Sequence, residues 1–338
     1  MTLKDKYHSY MLSVRSVKIH PEGNLVAEVA PTVEPYANKK ENRGMFNVPP
    51  ELTRAVVLEA NRIGLDVMIH TDGDGSSRAA VDAIEAAFKA GYKDNRNALH
   101  HAIWIHPDDQ QRIIDMKIPV NSTPHFSNDW QGSDKQFLEL MGEERINTSL
   151  GRYPELARAG VKVSISADVP STMPHMQGPL FVVQSAVTLK DPLNPKSKVF
   201  PPKMKGMSIE QAFRAITIDA AWQLRMEDKI GSLEVGKYAD LVILDESPLD
   251  VAPEEIAEID VLMTMMDGRI THMVERDRYL TPAELGYVLP EKPKGETVAQ
   301  VEPVDQRFLM AQAAFFHRLY CGGDHSIHDH GISFARFR

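Results

Sequence analysis

Three side chains that could bind a metal ion follow apolar segments at separate points of the chain. His70 ends the segment Val67-Met-Ile-His70, His101 follows Ala98-Leu-His, and Asp168 follows Val161-Lys-Val-Ser-Ile-Ser-Ala. Imidazole and carboxylate groups are common ligands of zinc and related divalent ions, and such an ion activates water for attack on a carbonyl carbon. A single histidine at a strand end is more often a structural hydrogen-bonding residue. The three together indicate a mononuclear site, provided that their strands are neighbours.

The segments around these residues alternate between apolar strands and helical stretches. The sequence predicts strands over 13–19, 65–70, 98–105, 118–122 and 161–167, and helices over 50–63, 107–116, 154–159 and 208–224, with a further helix running through Phe88. Strands that alternate with helices are typical of parallel βαβ units, so the predicted fold class is α/β. In a βα barrel the active site forms at the carboxyl ends of the strands, where His70, His101, His125 and Asp168 all fall.

Local patterns give further expectations. Because side chains alternate along a strand, His100 is expected to face away from His101. His106 stands directly before Pro107 and is expected to begin a helix. The polar segments 21–48 and 126–150 are expected to be long loops.

The pattern changes after the last predicted helix. Residues 231–240 are rich in turn-forming residues, 241–244 form an apolar strand, and 261–270 predict a hairpin that turns at Asp267-Gly268. We therefore divide the chain into a barrel portion over 1–228, a small β-sandwich element over 229–280, and a linker with a C-terminal arm over 281–338.

Composition restricts the class of protein. The 338 residues include 47 acidic and 38 basic side chains, for a formal net charge of -9, and no basic cluster suited to nucleic acid is present. No signal-peptide pattern or membrane-spanning apolar run occurs. The single cysteine, Cys321, excludes an internal disulfide framework and favours a reducing compartment. A cytoplasmic enzyme acting on a small molecule fits these features best.

Several motifs resemble the amidohydrolase superfamily, and within it the amidohydrolase-3 branch that includes N-substituted formamide deformylases. The segment 67–74 with the following 79–85 resembles that group's fifth barrel strand, and Leu99-His-His101-Ala resembles its sixth. Ser122-Thr-Pro-His-Phe126 resembles the segment that follows, and 160–170 resembles the eighth strand. Residues 230–244 are similar to the stretch where such chains leave the barrel for a small β-sandwich. The likeness covers residues 14–275 and implies the C-terminal part of a (β/α)8 TIM barrel, strands four to eight.

The resemblance also implies a reaction and a set of site residues. It implies a zinc-dependent hydrolase acting on carbon–nitrogen bonds other than peptide bonds, with one or two divalent ions held by His70, His101 and Asp168. Asp168 is expected to act as general base. Lys18 lies in the segment similar to the fourth strand, where many relatives carry a carboxylated lysine ligand, and His20 should point to the same side. His125, Arg152 and Trp130 are candidate contacts for an amide-type substrate.

One departure from the family pattern leaves an alternative open. Relatives begin with a His-x-His pair on the first barrel strand, and nothing before Lys18 supplies it. Five strands cannot close an eight-stranded barrel. The missing strands are therefore expected to come from a homo-oligomer, from a complementary chain or from a missing part of the same protein, and a non-catalytic subunit is the alternative function. The tail pair His328-Asp-His330 is a further candidate source of ligands.

Overall fold

Five parallel strands form the main sheet of the protein. The computed structural model describes residues 13–128, 133–170, 172, 176–194, 196–275 and 278–279. The strands lie in the consecutive order β1-β2-β3-β4-β5. They are β1 Ser16–Ile19, β2 Asp66–Thr71, β3 Ala98–His101, β4 Val120–Ser122 and β5 Val163–Ile165. This arrangement confirms the predicted α/β class with parallel βα units.

Helices connect successive strands. They are α1 Pro50–Arg62, α2 Asp74–Lys89, α3 Pro107–Met116, α4 Ser133–Ser149, α5 Tyr153–Arg158, α6 Pro179–Thr188, α7 Ile209–Ile216 and α8 Ile218–Gln223. His106 caps α3, because its ring accepts a hydrogen bond from the backbone N–H of Asp108, so the prediction of a helix start is confirmed. In the described part of the chain, no helix is both long and apolar enough to cross a membrane.

Alternation along the strands separates the core from the site. Val67, Ile69, Leu99, Val120 and Val163 are buried on one face, where they pack against apolar residues of the helices. The other face carries the polar residues of the same strands. The register aligns four of them in one row across the sheet, namely His70, His100, Asn121 and Ser164. The helix-covered face therefore stabilises the fold, and the open face is left for chemistry.

A second, antiparallel sheet follows the helices. It consists of β6 Leu241–Leu244, β7 Val261–Met266, β8 Arg269–Glu275 and β9 Arg278–Tyr279. The turn between β7 and β8 has positive φ at Asp267 and Gly268, which matches the hairpin predicted there. The domain boundaries at 228 and 280 stay predictions, and the segment 281–338, including His328 and His330, lies outside the described residues.

Two predicted elements end or break where the backbone leaves its regular conformation, so these sequence predictions are wrong. The strand predicted over 98–105 ends at His101, since His101 and Ala102 both have left-handed backbones, with φ of 67° and 49°. The helix predicted over 208–224 is two helices separated at Thr217, whose ψ of -98° is not helical. The Thr217 hydroxyl donates to the carbonyl oxygen of Phe213 at 2.6 Å, a local bond that competes with helix continuation.

The segment 126–150 is not a long loop. It contains α4, which is kinked at Gly142 where the backbone has a φ of 78°. Phe137, Leu140 and Met141 of α4 are buried with Trp104 in a second, smaller core. The polar composition of the segment hid this apolar stripe, because glutamates and other polar residues fill the exposed face of the helix.

Candidate metal centre

His70 and His100 lie side by side because their strands are paired. His70 of β2 is the register partner of His100 of β3, and both side chains are on the face away from the helices. The buried neighbours fix this direction, since Ile69 and Leu99 point into the core and each following residue must point the opposite way. Two imidazoles therefore reach the open face at the same level of the sheet.

His101 reaches the same face by a different route. Strict alternation would place it among the helices, behind His100. Its left-handed backbone, with a φ of 67°, turns the side chain back, and its ring centroid lies 3.8 Å from that of His100. The prediction that His100 faces away from His101 is therefore wrong, because the strand ends at His101 and the backbone of this last residue is left-handed. A left-handed conformation costs about 1–2 kcal/mol for a residue other than glycine.

The imidazoles of His70, His100 and His101 form one compact cluster. Each offers a nitrogen atom, and these nitrogens all lie within 4.8 Å of one another. The ring centroids of His70 and His101 are 4.7 Å apart, in an edge-to-face arrangement. The ring of His20 stacks on that of His70 at 3.8 Å, which extends the row toward the end of the sheet. His20 thus lies on the site side, as the sequence indicated.

Asp168 lies on the far side of His101, just beyond β5. Its Oδ1 atom is 3.9 Å from Nε2 of His101, and its side chain is about one-quarter exposed, at 26%. The other ring nitrogen, Nδ1 of His101, is 2.9 Å from the hydroxyl of Thr123. This contact orients the ring so that Nε2 points toward Asp168 and the open face. Asp168 also has a left-handed backbone, with a φ of 59°.

Lys18 completes the cluster from β1. Its Nζ atom makes a close contact with Nδ1 of His100. Its side chain is exposed at the end of the sheet, yet desolvation of the amino group among the imidazoles lowers the pKa of Lys18 to about 8, and the charge of Asp168 partly opposes that shift. An amine with a lowered pKa is neutral in a larger fraction of molecules, which is the form able to act as an acceptor or to be modified.

The imidazoles of the site remain neutral at ordinary pH. Burial lowers the pKa of His100 to about 3, and burial is also the main cause that holds the pKa values of His70 and His101 well below their usual range. Neighbouring bases, Lys18 among them, depress these values further. Neutral imidazoles have a lone pair available, so the donor set suits zinc and similar borderline divalent ions. The residues present fit a metal ion chemically.

The acidic residues that follow His70 have a structural role. Asp72 accepts a hydrogen bond from the backbone N–H of Leu25 at 2.8 Å, and Asp74 accepts one from Val33 at 2.9 Å. Glu22 in turn accepts bonds from the backbone N–H groups of Asp72 and Gly73. Burial raises the pKa of Asp72 to about 6. These bonds hold the loop 21–48 against the end of β2, and both aspartates accept hydrogen bonds from backbone N–H groups of that loop.

Gly73 is required where this loop meets α2. A Cβ atom at this position would lie 2.1 Å from the carbonyl oxygen of Pro31, a distance that no side chain tolerates. The glycine therefore permits the close approach of the loop to the β2–α2 turn.

The predicted substrate contacts occupy different positions. His125 is buried, with its ring centroid 4.9 Å from that of Phe126, and Phe126 is 5.5 Å from His101. Among the described residues neither ring nitrogen of His125 has a hydrogen-bond partner, and burial lowers its pKa to about 4. Arg152 pairs with Glu155 and donates to the carbonyl oxygen of Asn147 at 3.1 Å. Trp130 lies outside the described residues.

Sequence reasoning missed two residues of the site. His100 was excluded by applying alternation from His101 instead of from the buried Leu99, and the apolar pattern of β2 and β3 already contained the correct signal. Thr123 had no such signal, because its contact with His101 depends on how β3 and β4 end relative to each other.

A parallel βα sheet with imidazoles and a carboxylate at its carboxyl edge defines a class of metal-dependent barrel hydrolases. Residues 2–272 match the Amidohydrolase family, and the chain belongs to that family. Both the superfamily and the branch expected from the sequence are confirmed.

Individual relatives agree with this assignment. The chain is 28% identical to an N-substituted formamide deformylase of Arthrobacter pascens over 217 residues, 63% of this chain and 38% of that protein. It is 33% identical to a 5-methylthioadenosine/S-adenosylhomocysteine deaminase of Symbiobacterium thermophilum over 253 residues, 67% of this chain and 50% of that one. An uncharacterized metal-dependent hydrolase of Pyrococcus horikoshii superposes with a TM-score of 0.62 at 27% identity, covering 73% of this chain and 47% of that structure.

These matches confirm the partial barrel fold. The chain spans about half the length, or less, of the relatives it matches, between 38% and 50% for those named above.

Proposed function

We propose that this chain carries the metal site and the general base of a hydrolase that cleaves carbon–nitrogen bonds of the amide type. The observation that carries the proposal is the convergence of His70, His101 and Asp168 at one edge of the parallel sheet. Membership of the Amidohydrolase family supports it, as do the deformylase and deaminase relatives, whose names both refer to reactions at carbon–nitrogen bonds.

His70, His101, Asp168 and Lys18 would hold one or two divalent ions, with zinc as the expected metal. Lys18 would join as a ligand after carboxylation of its neutral amine, which converts a base into a carboxylate-like group. A bound ion would supply Lewis acidity, lowering the pKa of water and polarising the scissile carbonyl. The lowered pKa values of the imidazoles support this assignment, because no proton must be displaced from His70 or His101 before binding.

Asp168 would move the proton of the reaction. Its carboxylate would accept a proton from the attacking water, and the protonated carboxyl group would then donate that proton to the nitrogen of the leaving amine. The carbonyl carbon gains a bond to oxygen and loses its bond to nitrogen, so the products are a carboxylic acid and an amine. The partial exposure of Asp168 supports the role, since water and substrate can reach its oxygen atoms.

The substrate class we propose is a small amide, formamide or cyclic amide. His125, Arg152 and Trp130 remain the candidate substrate contacts. The position of His125, one aromatic ring away from His101, supports a role at the edge of the substrate pocket. The ion pair of Arg152 with Glu155 would have to open before Arg152 could bind a substrate carboxylate.

We further propose that the active particle contains the remaining barrel strands, from a further part of the same protein, from a second copy or from a complementary chain. In the described residues β1 and β5 form the two ends of the five-stranded sheet. Exposed strand edges favour pairing with another chain. A non-catalytic subunit that keeps the fold for assembly is the alternative function, and the same observation motivates it. The cytoplasmic location stays a prediction.

Metal content of the purified 338-residue chain is the direct test. We expect about one divalent ion per chain by elemental analysis. The variants His101→Ala and Asp168→Ala should lose most of this metal or the hydrolysis of N-substituted formamides. The matched control His272→Ala removes an imidazole from β8 of the antiparallel sheet and should change neither.

A metal-free protein whose properties do not change in either variant would contradict the proposed function. Metal binding without hydrolysis across an amide panel, in a homogeneous particle, would favour the non-catalytic alternative. A co-purifying polypeptide that carries a His-x-His pair and restores hydrolysis would instead support the complemented barrel.

A further inference from the structure

We infer that His100 is a metal ligand, so that His70, His100 and His101 form a three-imidazole site for a borderline divalent ion such as Zn²⁺ or Co²⁺. The inference rests on the proposed function, because it concerns the same ion, but it assigns that ion a ligand that the family resemblance does not supply. The observation that supports it is that one ring nitrogen from each of the three histidines lies within 4.8 Å of the other two, on two adjacent strands.

The geometry is close to that of a bound state. Two nitrogen ligands on a tetrahedral zinc ion lie about 3.4 Å apart, given zinc–nitrogen distances of about 2.0–2.1 Å. The rings of the cluster would need to close by about one ångström, which side-chain rotation provides. His70 and His100 are already level in the sheet, and His101 follows directly in the chain.

The backbone at the end of β3 supports a functional reason for this cluster. His101 and Ala102 are consecutive residues with positive φ, and neither is glycine. Left-handed backbones at such residues are costly and concentrate at functional sites. The effect of this conformation is to place the rings of His100 and His101 on one face, which an ordinary strand cannot do. An arrangement that served packing alone would not need it.

Two of the three imidazoles already have a contact at one ring nitrogen. Thr123 contacts Nδ1 of His101, and Lys18 contacts Nδ1 of His100, so both rings are left with Nε2 for an ion. For Nε2 of His100 to have a lone pair, Nδ1 must carry the proton and donate it to the amine of Lys18. Such outer contacts commonly fix the tautomer of a metal-binding histidine.

This assignment also separates the roles of the site. With three imidazoles on the ion, Asp168 is not needed as a permanent ligand and can exchange protons. The chain would bind its ion without the first-strand His-x-His pair, using only residues of β2 and β3.

Cobalt titration of the full chain tests the inference. The protein is stripped with a chelator and titrated with Co²⁺, and binding is followed by the visible ligand-field bands and by calorimetry. Both His70→Gln and His100→Gln should weaken binding by about 100-fold or more, since loss of an outer-shell partner alone costs 10–100-fold. The control His272→Gln, an imidazole in the antiparallel sheet, should bind within about twofold of the unaltered chain.

A ligand count on the unaltered chain keeps the test independent of how the variants fold. Zinc X-ray absorption should report three imidazole nitrogens. Two imidazoles, or a His100→Gln variant that binds Co²⁺ within about threefold with unchanged bands while His70→Gln loses binding, would overturn the inference and leave the proposed function standing. Failure of the unaltered chain to bind either ion would overturn both.

Discussion

The polar groups at the two edges of the parallel sheet lie in opposite electrostatic environments. At the amino edge, the buried carboxylate of Asp66 accepts two hydrogen bonds from Arg225, at 2.6 and 2.8 Å, and a third from the backbone of Arg96 at 2.9 Å. The guanidinium of Arg96 pairs with Glu227 at 2.6 Å and lies 4.3 Å above the ring of Trp222. Opposite charges and matched donors therefore meet at this edge.

At the carboxyl edge, nitrogen bases lie against one another. Four imidazoles and the amine of Lys18 are in contact, and the carboxylate of Asp168 approaches them only to 3.9 Å. The difference indicates that the amino edge stabilises the fold and the carboxyl edge serves binding, as is usual in a barrel.

The largest expected effect is the loss of the Arg225–Asp66 pair. Arg225→Ala would leave the Asp66 carboxylate buried without its cation, and breaking a buried pair in this way costs about 3 kcal/mol. We expect the free energy of unfolding, measured with urea at neutral pH, to fall by about that amount. The affinity for Co²⁺ should not change, because Arg225 has no contact with the imidazole cluster.

The exposed pair Arg62–Glu59 provides the control. Both side chains are 61% exposed, and a surface pair of this kind contributes about 0.5 kcal/mol or less. Arg62→Ala should therefore leave the unfolding curve nearly unchanged. A loss of metal affinity in Arg225→Ala, or equal effects of the two substitutions on stability, would contradict the separation of the two edges.

Much of the fold could be predicted because local patterns and tertiary structure agree. The bounds of α3, Pro107–Met116, match the prediction, since a proline begins the helix and Lys117 adopts a left-handed conformation after it. The hairpin at Asp267-Gly268 was equally local. The helix α6, Pro179–Thr188, was not predicted, because a short helix buried along much of its length has no clear amphipathic period.

The candidate site was predictable only in part. Residue type and strand position were enough to place His70, His101 and Asp168 near one another. Alternation from the buried Leu99 places His100 on the same face as His70, but the return of His101 to that face depends on its left-handed turn, which no propensity of a histidine residue encodes. The contact between His101 and Thr123 depends on tertiary packing in the same way.

Acid sensitivity sharpens the comparison, because His125 at the carboxyl edge is a base whose ring nitrogens have no hydrogen-bond partner among the described residues. The pKa of His125 is about 4 in the folded protein, against about 6.5 in an unfolded chain. The folded state therefore binds fewer protons between these values, so stability is present at neutral pH and is lost as the pH falls. Lowering the pH from about 7 to about 5 should cost about 2 kcal/mol through this residue alone.

His125→Leu tests this contribution. The variant should lose about 2 kcal/mol less than the unaltered chain over the same pH interval, with both proteins kept metal-free by a chelator. The other buried imidazoles titrate equally in both proteins and cancel in the difference. If the stability of the two proteins fell equally over this interval, protonation of His125 would not destabilise the folded state, and the prediction would be wrong.

The smallest expected effect concerns the backbone strain at the carboxyl edge. Ala102 is buried with a φ of 49°, whereas Ala83 is equally buried but lies within α2. Ala83→Gly should destabilise the protein by about 1–2 kcal/mol, through the lost methyl group and the flexibility of glycine in a helix. At Ala102 the same losses are offset by relief of about 1–2 kcal/mol of left-handed strain, so Ala102→Gly should be nearly neutral in a urea titration.

The metal affinity of Ala102→Gly should also be nearly unchanged. Glycine adopts the same left-handed backbone conformation, so the Co²⁺ affinity should stay within about twofold of the unaltered protein. Equal destabilisation by the two glycines would mean that the turn after His101 stores no strain, and the conformational argument for His100 as a ligand would lose its support.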